Sequence, residues 1–407
     1  LSIIDTVSTT ALATVGLALG AAADTPDLSI GNGGILTANA STIIVSTVTM
    51  TGGTSGTITV TTGAWTVSGS WNTSGAGSVY TQGTGIVTFD ATATITMLAA
   101  DNTFDDLTIT PGGNTVTMAT DLIITNVLTI STGTFAKSTF ALNPVGSLTM
   151  DGGDLTSTSG VVVITGAVNI SSAASAIDFG SEAWTVSGTW TNVSTDGAVW
   201  EAGSGSMLFD SATGGTMTFA GTNLAEAEFN SVTFTSSAVT PQTFTMGTRA
   251  LRWTTTLTIS DTSSTTALAT ANLGLSTGAI SVGNGGILTA NASTVSITSF
   301  TMTGGTSGTL TLTGGSWTLT GNWDSSGAGS VFTEGTSTIM MSGAGTSITL
   351  LSLDNTFNDL IISAVGTVSA NSNLNVAGTL TVNSGAVFAL ATFVIAITTL
   401  AAVAGGI

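Results

Sequence analysis

In LTISTGTFAKSTFALNPVGSLTM, residues 128–150, apolar and hydroxyl side chains alternate in short runs. Leu128 and Ile130 flank Thr129, and Leu148 and Met150 flank Thr149. A period of two places successive side chains on opposite faces of a strand, one face dry and one wet. Thr, Val and Ile are stiff at the Cβ branch and favour that extended backbone. Gly, Ser and Asn close each run, where the chain must turn. The run LTI begins at Leu128 and its near-copy LTM at Leu148. They read as successive coils, each strand lying above the last. Outside this stretch TITVTT (57–62), AWTVSGSW (64–71) and TFDDLTIT (103–110) show the same alternation. No window carries an i, i+3, i+4, i+7 apolar stripe bounded by caps, so helix is not expected.

Working outward, the pattern belongs to a long repeat. GNGGILTANAST stands at 31–42 and again, identically, at 283–294. TMTGGTSGT at 49–57 returns at 301–309 with the same shift, and STTALAT at 8–14 returns at 264–270. Each long repeat is itself double. AWTVSGSW (64–71), AWTVSGTW (183–190) and SWTLTGNW (316–323) share two Trp residues six apart. An aromatic follows each second Trp: Tyr80, Trp200 and Phe332. TFDDLTIT (103–110), EFNSVTFT (228–235) and TFNDLIIS (356–363) come next. Self-similarity of this kind points to a solenoid growing in one direction. The expected fold is therefore all-β, a parallel β-solenoid (β-helix) of tandem imperfect repeats. Its divisions fall at 1–154 and 155–256, the two units of the first long repeat, and at 257–407, the first unit of the second. Tandem β-sandwich domains are the alternative, since a unit of this size suits them. The near-absence of Lys, Arg and Pro, and the recurrent Gly-Thr punctuation, favour the solenoid.

Two apolar segments imitate membrane elements. ALATVGLALGAAA, residues 11–23, resembles the apolar part of a signal peptide but lacks a basic region before it. FALATFVIAITTLAAVAGGI, residues 388–407, is long enough to span a bilayer. Its counterpart in the earlier repeat, residues 135–153, contains Lys137 and Pro144. Both segments therefore read as repeat, with no membrane insertion expected from this chain.

Composition narrows the function classes. Charged residues are 6% of the 407, against about 25% in ordinary soluble domains. Lys137, Arg249 and Arg252 are the only basic side chains, and the formal net charge is −19. That balance is opposed to nucleic acid, which is held by clustered cations. His and Cys are both absent, which removes Ser-His-Asp triads, thiolate nucleophiles and Cys/His zinc sites. No catalytic, cofactor-binding or metal-binding residue is assigned, no cofactor is expected, and the chain is not expected to be an enzyme.

AWTVSGSW, TFDDLTIT and LTISTGTF together resemble the repeat regions of large secreted bacterial and archaeal surface proteins, among them filamentous adhesins and autotransporter-type passenger domains. The resemblance implies a parallel β-helix at the cell surface. An extracellular structural role is the resulting expectation: a subunit or rod segment of a filament, fibre or sheath. An adhesin stalk that touches a surface, the cell envelope or a glycan is the alternative. Ice-binding and polysaccharide-active β-helices stand further off. Ice binding asks for the same Thr pair on every coil of a flat face, and the Thr-x-Thr steps here are interrupted.

Candidate site residues all have structural readings. Asp101, Asp105 and Asp106 form the densest acidic cluster, with Asp354, Asn358 and Asp359 as its second copy and Glu226 and Glu228 in the middle one. Two carboxylates can serve a glycosidase, and oxygen-rich turns can hold Ca²⁺. The cluster recurs with each repeat and has no basic residue beside it, so turn caps are the expectation. GNGGIL lacks the helix and Lys of a phosphate loop. Trp65, Trp71, Trp184, Trp190, Trp317 and Trp323 are expected in the core rather than on a carbohydrate platform. Glycosylation sequons stand at Asn39, Asn72, Asn169, Asn192 and Asn291. The chain begins and ends inside the repeat without a polar capping coil, so end-to-end self-association into a fibre is the expected partnership.

Overall fold

The computed structural model describes residues 1–4, 10–13, 25–50, 56–193, 203–219, 228–246, 250–261, 265–271, 273–274, 278–302 and 308–401. Among these, every regular element is a β-strand, and every strand pairing given a register is parallel. The fold is a parallel β-solenoid, as the alternation implies, and neither a sandwich nor a barrel. Far-UV circular dichroism should accordingly show strand with negligible helix. A helix share near the globular norm of about a third would contradict it. Two compact units divide the chain. One holds residues 1–186, 191–205 and 221–226, and the other holds 187–190, 206–220 and 227–407.

In the first unit each coil contributes strands to three faces. One face is a nine-stranded sheet running from Ser2–Ile3 through Leu28–Ile30, Trp71–Thr73 and Thr134–Ser138 to Ile177–Asp178. Coil length varies along this face. Thr115 stacks on Thr134 in a short coil, and Ser2 stacks on Ser29 in a longer one. On another face Ile43, Trp65, Val87, Leu107, Leu128, Leu148 and Val168 stand in register, one above the next. Val45, Val67, Phe89, Ile109, Ile130, Met150 and Ile170 form the neighbouring column. Every member of both columns is buried. Burial of each such side chain contributes roughly 1.5–3 kcal/mol, and each coil adds its share against its neighbour.

In the second unit the same logic repeats. Met207, Val232, Leu257, Ile280, Phe300, Trp323 and Ile348 make one buried column across parallel strands. Coil length varies here too: the coil from Ile280 to Phe300 is shorter than the one from Met207 to Val232.

The duplicated GNGGIL is a coil corner in both units. Gly31 and Gly34 in the first, Gly283 and Gly286 in the second, make the same pair of backbone hydrogen bonds, including one to the carbonyl of Ile3 or Ile259. Gly33 and Gly285 adopt φ of 65° and 63°. A Cβ at Gly34 would lie 2.3 Å from the Ile3 oxygen, and one at Gly286 2.1 Å from that of Ile259. Positive φ disfavours a side chain at Gly33 and Gly285, and close backbone approach excludes one at Gly34 and Gly286, which accounts for these glycines recurring without a bound phosphate.

Candidate functional site

The aromatic residues of the repeat converge in the core. Trp71 lies 5.8 Å from Trp65, 5.3 Å from Tyr80 and 5.6 Å from Phe104, ring centre to ring centre. In the second unit Trp323 lies 4.5 Å from Phe300, 5.1 Å from Phe332 and 5.3 Å from Phe357. Trp190 meets Phe209 and Phe229 edge-on. Trp200 lies outside the described residues. All six Trp residues of the duplicated motif are buried, as expected, so none offers a face to a sugar. Edge-to-face aromatic pairs add about 0.5–1.5 kcal/mol beyond area burial.

Tyr80 is the one tyrosine in the chain. Burial, and then the charge of Asp105, push its hydroxyl far above the ordinary range. A folded-state pKa above the unfolded value near 10 stabilises the fold below that pH and ceases to as pH rises past it. Phenolate absorbance should therefore appear only together with loss of the far-UV strand signal. Independent titration of Tyr80 in the folded chain would contradict its placement.

The acidic cluster is a set of clamps between coils. Asp105 Oδ1 accepts from Thr125 Oγ1 at 2.8 Å. Asp106 Oδ1 accepts from Asn126 Nδ2 at 2.8 Å and from the Val127 N–H at 3.1 Å. In the second copy Asp359 Oδ1 accepts from the Thr379 N–H at 2.6 Å, and the Asn358 amide donates to the Ser337 carbonyl. Asp121, Asp154 and Asp210 accept backbone N–H groups of Ala141, Ala176 and Ser237 in the same way. Each clamp therefore reaches about one coil along the chain rather than capping its own turn. Caps within one turn occur elsewhere, as Asp178 to Gly180 and Asp324 to Ser326. No hydrogen bond is assigned to the side chains of Asp101 and Asp354, and both are half-buried. Glu226 lies outside the described residues, and Glu228 pairs with Arg252 at 3.2 Å across one coil step. Among the described residues no three carboxylates converge on one point.

One outer face carries a hydroxyl ladder. Thr66, Thr88, Thr108, Thr129 and Thr149 are stacked in register on five consecutive coils of the first unit. The ladder is single. The next outward positions hold Ala64, Ile86 and Asp106, then Val127 and Ser147. In the second unit the matching register reads Ser296, Thr318, Met340, Ile361 and Thr381. Paired Thr rows therefore do not form on this face. Of the sequons, Asn169 is exposed and Asn192 is buried, which removes Asn192 as an acceptor in the folded chain. A shallow recess of about 280 Å³ is lined by Ala99, Asn102, Thr120, Asp121 and Phe140.

No protein-family model matches the chain, and neither a curated protein nor a solved structure matches it.

The residues with most chemical potential are two that sequence reasoning passes over. Lys137, the single lysine, is fully buried, and so is Glu182. Lys137 sits in the strand Thr134–Ser138, where Phe135 and Lys137 both point inward. Ser138 then takes φ 59°, the register slips, and the chain turns. Lys137 Nζ lies 2.5 Å from Glu182 Oε1. It also donates to the carbonyls of Phe140 and Ser159. Ser157 Oγ donates to the same Glu182 oxygen. Glu182 Oε2 has no hydrogen-bond partner. Burial pushes the Glu182 carboxyl up, against the pull of Lys137, Ser157 and the Trp184 indole beside it. Gly160, at φ 113°, makes room, since a Cβ there would lie 3.0 Å from Nζ. Glu182 stands two residues before Trp184, where the other copies have Gly63 and Gly315. An ion pair withdrawn from water is a costly arrangement that a repeat does not need for packing.

Proposed function

We propose that the chain is a structural element of an extracellular surface: a subunit or rod segment of a filament, fibre or sheath. One observation supports this reading above the others. In each unit coils are stacked in parallel register over unbroken apolar columns, while Thr and Ser line the outside. Such a stack holds shape coil by coil through nearest-neighbour packing and is extended by adding coils, which suits a tension-carrying or spacing role. The most prominent carboxylates hold neighbouring coils together, and the Trp motif fills the interior. Both therefore serve the scaffold. The sparse, net negative charge suits a surface that resists clumping with its own copies. Neighbouring copies of the chain, or the cell envelope, are the partners that fit.

Immunogold electron microscopy of native cells, with an antibody to this chain, tests the proposal. Label along surface fibres or a sheath is the expected result. Label confined to the cell interior, or native material that runs only as a monomer in size-exclusion chromatography with light scattering, would overturn it.

A further inference from the structure

We infer that Lys137 and Glu182 are a modification site, at which the chain joins them autocatalytically by an amide bond between Nζ and Cδ. The geometry carries the inference. Nζ lies 2.5 Å from Oε1, with both residues sealed from solvent. The carbonyls of Phe140 and Ser159 accept from Nζ. An amine with two N–H groups satisfies both carbonyls and leaves its lone pair facing the carboxyl group.

The step balances without a co-reactant. One proton passes from the ammonium to the carboxylate, giving amine and acid. Burial raises the Glu182 carboxyl and so favours its protonated form. The Nζ lone pair then attacks Cδ. The Ser157 hydroxyl, already donating to Oε1, stabilises the negative charge that develops there. Oε1 stays as the amide oxygen. Oε2 takes the proton first passed to the carboxylate and one from Nζ, and leaves as water. The product is an amide plus one water. It removes the bare buried oxygen and both charges from the core. Fixed proximity supplies most of what the uncatalysed condensation lacks, and a dry interior disfavours the reverse hydrolysis.

Neither residue recurs at its counterpart in the other repeats. In the aligned repeat Phe135 matches Phe388 and Lys137 matches Leu390, while Gly63 and Gly315 occupy the place of Glu182.

Intact mass of the purified, denatured chain reads the outcome directly. The expected mass is lower than the sequence mass by one water. Trypsin should then leave the bond after Lys137 uncut in the denatured chain, while cutting after Arg249 and Arg252. The full sequence mass, with cleavage after Lys137, would overturn the inference. Lys137→Met should show its full calculated mass even if it is poorly folded. A variant still lighter by one water would place the loss elsewhere and equally overturn it. Because mass does not depend on location in the cell, failure here leaves the proposed surface role intact.

Discussion

Replacing Trp71 by alanine should lower stability by about 3–5 kcal/mol, the range for truncating a fully buried large aromatic. Trp71 touches Trp65 and Tyr80 on its own coil and Phe104 on the next. The cavity opens where neighbouring coils share an interface, and a solenoid has no other packing to make up the loss. Chemical denaturation, with strand content as the signal, measures the shift. Thr88→Ala on the outer ladder is the control and should stay within about 0.5 kcal/mol, as surface substitutions usually do. Equal effects of the two would mean that the Trp motif is not core. Trp184→Ala should match Trp71→Ala, since Trp184 is buried against Phe179 with centroids 5.1 Å apart.

Glu182→Ala should cost about 3–5 kcal/mol by a different route, because it leaves Lys137 in the core without its counter-charge. The double variant Lys137→Met/Glu182→Ala removes both charges and should lose less than Glu182→Ala alone. That ordering holds whether the two residues are joined by an ion pair or an amide, since loss of a covalent loop weighs on every variant alike. A double variant as damaged as the sum of the two singles would show that the residues do not interact.

The solenoid is legible in the sequence because three local signals agree. Period-two alternation sets strand faces, Gly-rich pairs set corners, and the identical segments at 31–42 and 283–294 show that one unit is used again. The aromatic cluster is legible in part. Two Trp residues six apart announce a shared core, but the arrival of Phe104 beside Trp71 depends on where the next coil lies. The acidic residues are legible as structural, though not as clamps on the following coil. The reason is physical. A clamp joins residues one coil apart, and coil length drifts between the short Thr115-to-Thr134 step and the long Ser2-to-Ser29 step, so spacing alone does not pair them. The Thr ladder is hidden for the same reason. Lys137 and Glu182 lie more than one coil apart along the chain, and nothing in either stretch names the other. A usable signal exists nonetheless. Lys137 occupies an inward position of the alternation two residues after Phe135, and a lone buried lysine demands a partner.

The drift in coil length says where this chain can be edited. A single residue inserted within a strand such as Ile86–Phe89 would turn the rest of that strand's side chains to the wrong face. The corners already absorb differences of several residues without disturbing the columns. The segment 111–114 is such a corner, lying between Asp106–Ile109 and Thr115–Met118. A Cβ on Gly112 or Gly113 would meet nothing within 4 Å. A peptide spliced between those two glycines would ride outside the wall as a passenger loop, displayed at a fixed height on a scaffold that does not register its presence.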